Sequence, residues 1–223
     1  MTPTFDVSDD PVPGPGPAKF PAVPYTLASA YGQDYLEEMA RVARAMDLGP
    51  LDRAAEVLLD AIARDAVIFS CGNGGSAAIA NHLQCDHLKT ARNGTDITPR
   101  VVSLSTSMEL VTAIANDIGY EDVFVYQLQS QARPGDVLVA ISSSGSSPNI
   151  VRAIDWARHN NVRTIALTGF SGGGARSAAE VAVHVPSDNY GVVEDMHQAL
   201  MHTLAQYLRQ SRMTAAQIAK TTF

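Results

Sequence analysis

Apolar positions recur along this chain in two rhythms. Between Leu27 and Met46 they fall at helical spacing, with Tyr35, Met39, Val42, Ala43 and Met46 on one side. Between Leu51 and Arg64, Ala54, Ala55, Leu58, Leu59 and Ile62 repeat the pattern. Both spans predict helices. Beyond them the rhythm changes. "AVIFSC" (66–71), "RVVSL" (100–104), "DVLVAIS" (136–142), "RTIALT" (163–168) and "VAVHV" (181–185) are short, apolar and rich in β-branched residues. Helical stretches separate most of them. The alternation predicts βαβ units and a parallel sheet covered on both faces. A long last helix is predicted from Val192 to Gln210, and no internal repeat is found.

Composition adjusts this picture little. A chain of 223 residues suits one substantial domain with a large core. Residues 1–24 hold seven of the twelve prolines and read as an extended or disordered tail, or as an arm that wraps a neighbouring subunit. The domain is expected over 25–212, with a second tail at 213–223. The net charge of −7 argues against a nucleic-acid partner, although a local pocket can still take an anionic small molecule. No apolar run approaches the ~18 residues of a membrane span, and the first residues lack the features of a signal peptide. Cys71 and Cys85 form no disulfide framework. Both are expected reduced and packed, which points to the cytoplasm.

Candidate chemistry gathers at turns that follow strands. "CGNGGSAAIANH" (71–82) reads as strand, glycine turn and helix. That arrangement aims free backbone N–H groups at one spot. Gly72, Gly74 and Gly75 permit close approach, and Asn73 and Ser76 add side-chain donors. The bland alternative is a tight turn with a helix cap. "ISSSGSSPN" (141–149) crowds Ser142, Ser143, Ser144 and Ser147 into a second turn, and Pro148 suits the first turn of a helix. Several hydroxyls beside exposed amides make a neutral cradle for a phosphate or a sugar; a flexible linker would not sit between an apolar strand and an amphipathic helix. A third turn, "TGFSGGG" (168–174), is expected on the same edge, where open α/β sheets bind ligands.

"HLQCDH" (82–87) raises a metal or proton-transfer site. His82 and Asp86 are four apart and share a helix face, whereas Cys85 and His87 lie off it. On the last helix, "EDMHQALMH" places Glu194 and His202 eight apart on one broad side. Two histidines and two carboxylates could hold zinc or a similar ion. They could instead perform acid–base work, or form a solvated polar face. Spacing leaves these open.

At this point the motifs resemble a known family. "CGNGGSAAIANH", "TAIANDIGYEDVF", "RPGDVLVAISSSGSSPNIVRAI", "IALTGFSGG" and "EDMHQALMH" are similar to the sugar isomerase (SIS) domain and, within it, to the phosphoheptose isomerases, over roughly residues 27–210. The resemblance implies a three-layer α/β/α sandwich with a five-stranded parallel sheet, N-terminal helices and a long C-terminal helix. It implies a homotetramer with shared active sites that converts sedoheptulose 7-phosphate to D-glycero-D-manno-heptose 7-phosphate through an ene-diol. Carried over by motif, Asn73, Gly74, Gly75, Ser76, Ser142, Ser143, Ser144 and Ser147 would bind the phosphorylated sugar. Asp86 and His202 would transfer protons. His82, Asp86, Glu194 and His202 would hold one zinc or other divalent ion per subunit. No nucleic acid or membrane partner is implied.

Four positions depart from the family pattern. Asp86 stands where glutamate is usual, Glu194 where glutamine is, and Ser107 and Gly191 each where an aspartate is. The changes compensate one another or mark a different sugar phosphate. A non-catalytic module that binds a protein through the same fold is the remaining alternative.

Overall fold

A computed structural model describes residues 19–222, so most of the proline-rich segment lies outside the described residues. The two expected N-terminal helices form as α1 (Ala28–Ala45) and α2 (Gly49–Ala63). Five parallel strands follow, β1 (Val67–Gly72), β2 (Arg100–Ser103), β3 (Val137–Ser142), β4 (Arg163–Thr168) and β5 (Val181–His184). The remaining helices are α3 (Gly75–Cys85), α4 (Met108–Asp117), α5 (Val125–Gln131), α6 (Pro148–His159), α7 (Gly173–Ala178), α8 (Tyr190–Gln210) and the short α9 (Ala215–Ile218).

The central strands β1, β3 and β4 are buried on both faces, which explains their continuous apolar runs. Val137, Val139 and Ile141 of β3 face one layer together with Leu58, Leu83 and Leu204 from α2, α3 and α8. Leu138 and Ala140 face the other, with Leu128, Ile150 and Ile154 from α5 and α6. The result is the expected three-layer α/β/α sandwich. Strand order is β2-β1-β3-β4-β5. The chain leaves β1 toward one edge and returns on its other side at β3, so the order reverses between them. Ligands of open α/β sheets bind at such a switch point, beyond the carboxyl ends of the strands. The glycine turn follows β1 and the serine turn follows β3, with Gly72 and Ile141 in register at that end.

Local chemistry moved three details away from expectation. The Asn189 side chain accepts a hydrogen bond from the Val192 N–H at 3.1 Å, and this cap starts α8 at Tyr190. Gly191, expected just before the last helix, therefore lies in its first turn. The end of α3 continues as a single π-helical segment over Asp86–Ala91. Finally, Cys85 is exposed rather than packed, while Cys71 is buried; both are free thiols.

Candidate active site

The glycine turn builds one wall of the site. Gly74 has φ +55° and ψ −123°, a conformation that a side chain would strain. It lets β1 turn abruptly into α3, and the N–H groups of Gly74, Gly75 and Ser76 are left without backbone acceptors among the described residues. Asn73 is held from two sides. It exchanges hydrogen bonds of 2.9 Å with Asn149 of α6, and the Tyr120 hydroxyl donates to its Oδ1 at 2.8 Å. Asn149 and Tyr120 were not anticipated from sequence, since neither stands near Asn73 along the chain.

The serine turn forms the opposite wall. Asn73, Ser76, Ser142, Ser143, Ser144 and Ser147 line one recess of about 120 Å³, closed by Ile141, Tyr190 and Glu194. The Ser142 hydroxyl accepts from the Gly145 N–H at 3.1 Å, and the Ser144 hydroxyl from the Ser146 N–H at 3.2 Å. Ser143 differs. Its hydroxyl is buried and meets no partner. A buried polar group of this kind ordinarily finds a bond, and Ser143 is one of the residues that line the recess. The third turn contributes indirectly, because the Phe170 ring packs on Tyr190 with centroids 4.7 Å apart.

A second cluster lies farther along α3. Asp86 Oδ1 is 3.5 Å from His82 Nε2, and Asp86 Oδ2 is 3.5 Å from His202 Nε2 on α8. The two imidazoles approach edge to face at 5.2 Å. The Thr90 hydroxyl donates to Asp86 Oδ1 at 3.3 Å, and Gln198 Nε2 lies 2.9 Å from His202 Nε2. Ligand atoms of all three residues fall within 4.8 Å of one another. Tetrahedral zinc with bonds of roughly 2.0–2.1 Å places its ligands roughly 3.4 Å apart, so two imidazole nitrogens and a carboxylate at these separations fit such an ion and leave a fourth position open.

Glu194 does not join this cluster. Eight residues of α-helix span about 12 Å, and the glutamate lies at the other end of that span, against Gly75 in the cradle. Gln198 stands between them, four residues from each. Glu194, Gln198 and His202 thus form one stripe of α8. Burial, reinforced by neighbouring Asp195, pushes the Glu194 carboxyl above its ordinary range. His87 is buried, with Nδ1 2.9 Å from the Leu83 carbonyl oxygen and Nε2 unpartnered. Among the other departures, Ser107 sits at the start of α4. Tyr35 covers Gly191, where an added Cβ would lie 2.9 Å from the Tyr35 hydroxyl, and that hydroxyl donates to Asp195 at 2.6 Å.

Known proteins share this fold. The SIS domain profile matches residues 31–169. A phosphoheptose isomerase of Akkermansia muciniphila is 38% identical over 165 residues, covering 73% of this chain and 85% of that one. The chain belongs to the SIS domain family, among the phosphoheptose isomerases. The corresponding enzyme of Bordetella avium is 40% identical over 160 residues, 70% of this chain and 80% of its own. The solved phosphoheptose isomerase of Neisseria gonorrhoeae superposes with a TM-score of 0.73 at 31% identity, covering 82% of this chain and 96% of that one. Membership makes the chain an isomerase of phosphorylated sugars. None of the described helices is long and apolar enough to cross a membrane.

Proposed function

We propose that this phosphoheptose isomerase interconverts sedoheptulose 7-phosphate and D-glycero-D-manno-heptose 7-phosphate, with its phosphate in the serine cradle and its carbonyl end beside Asp86. The unpartnered buried hydroxyl of Ser143 carries the reading of the cradle. The convergence of two histidines on Asp86 carries that of the reacting end. The relatives bear the name of this activity.

Asp86 removes the proton from C1 of the ketose, leaving an ene-diol across C1 and C2, and returns it to C2. His202 moves the remaining proton between the two oxygens. His82, Asp86 and His202 would hold a divalent ion, zinc by their donor set, which supplies Lewis-acid polarisation of the carbonyl. The phosphate is bound far from the reacting carbons, so its binding energy is available to orient them. The proposal extends, on the family resemblance, to a homotetramer with shared active sites, which light scattering of the purified protein would check, and, on the two free cysteines, to the cytoplasm.

Asp86 is one methylene shorter than the family's glutamate, and Glu194 adds a charge to the cradle. These favour a second reading, isomerisation of a different ketose phosphate. Assaying a panel of phosphorylated ketoses with and without added zinc separates the two. With sedoheptulose 7-phosphate, Asp86→Asn and His202→Ala are expected to lower kcat at least ~100-fold. Wild-type rates in both variants would end the assignment of Asp86 and His202.

A further inference from the structure

The cradle read as a phosphate site already contains a carboxylate. Glu194 rises from α8 into the recess lined by the serines and rests against Gly75, so closely that a Cβ there would overlap it. Among the described residues, no Lys, Arg or His lines the recess. Among the described residues, no hydrogen bond or ion pair reaches the Glu194 carboxylate. Near it lie donors without internal partners. The amides of Gly74, Gly75 and Ser76 open the 11-residue α3, and the Ser143 hydroxyl, 4% exposed, has no partner. Free amides and the positive end of a helix dipole attract an anion. In the free chain the nearest anion is the protein's own.

We propose that Glu194 is an internal competitor of the substrate phosphate: its carboxylate stands in the recess beside the unmet donors without bonding them, and the incoming phosphate displaces it. The proposal rests on the phosphate reading of the cradle. A recess of about 120 Å³ brings a carboxylate and a phosphate within a few ångströms, where like charges repel strongly because water screens them poorly. Displacement turns the side chain out toward solvent. The serine hydroxyls and the helix terminus then bind phosphate more weakly than they would alone, and phosphorylated product leaves sooner. Glu194 sets affinity and acts on no reacting carbon.

Calorimetric titration of the full chain with inorganic phosphate tests this. Glu194→Gln, which keeps shape and removes charge, is expected to tighten binding about tenfold or more. Glu194→Ala should do the same. Asp195→Asn removes the neighbouring charge, which Tyr35 holds outside the recess, and should leave the affinity near that of the parent. Equal affinity of the parent chain and both Glu194 variants overturns the competitor while leaving the cradle intact. Equal tightening in Asp195→Asn also overturns it, because general charge would then explain the effect. If phosphate binds none of the proteins, the cradle reading falls and takes the proposal with it.

Discussion

Ser143 and Asp86 divide the work of the site between binding and chemistry. Ser143 lines the recess and its buried hydroxyl has no partner among the described residues, so it is a donor held in reserve for a ligand. Ser143→Ala is expected to raise KM about tenfold with kcat nearly unchanged, the size of one hydrogen bond to a charged group; steady-state kinetics on the heptulose phosphate would show it. A fall in kcat with constant KM would place Ser143 elsewhere in the reaction. At this scale the helix period was enough to select His82 with Asp86 and set His87 aside. It could not place Glu194, because eight residues share a helix side without sharing a site. Asn149 and Tyr120 were not readable, since their bonds to Asn73 depend on how distant elements pack. Gln198 was readable in principle from its four-residue spacing to His202.

Among elements, α3 bears the heaviest constraint. Its start requires Gly74 at positive φ, and its end passes into the π-helical segment that carries Asp86. π segments in helices recur at functional sites. Gly74→Ala is expected to cost about 1–3 kcal/mol of stability from backbone strain, measured as a lower urea midpoint at unchanged slope. A midpoint equal to that of the parent would mean the turn relaxes into another conformation. The strands were readable because burial on both faces leaves a continuous apolar run. The π segment was not, because one extra residue in a turn barely disturbs a short periodic pattern. The early start of α8 followed from one cap, Asn189, whose side-chain bond no apolar rhythm reports.

For the whole molecule, the alternation of strands and helices predicted a covered parallel sheet, but the order of strands is set by crossovers that the pattern does not encode. The packed interior also holds a titrating group apart from the site. His197 is fully buried, and burial, only partly offset by the Thr168 backbone beside it, pushes its pKa down to about 4. The unfolded chain takes up a proton at this residue near pH ~6.5, whereas the folded chain resists it until about pH 4. Stability from this source is complete above pH ~6.5 and falls as pH drops through that window, by at most about 3 kcal/mol. His197→Leu is expected to flatten the pH dependence of Tm between those limits. An unchanged slope would assign the acid sensitivity to other groups.

Helix α8 also measures length. It holds Glu194 at the cradle and His202 at the carboxylate–histidine cluster, about 12 Å apart along its axis. An extended seven-carbon ketose phosphate spans roughly 9 Å from carbonyl carbon to phosphorus by ordinary bond lengths, and each carbon removed shortens it by roughly 1.3 Å. The side chains at either end are expected to close the rest of the distance for seven carbons and progressively to fail for six and five. The rigid helix is therefore a ruler for chain length, and kcat/KM should fall steeply down the series from heptulose to pentulose phosphates. Equal values across the three would show that one molecule does not bridge the two ends.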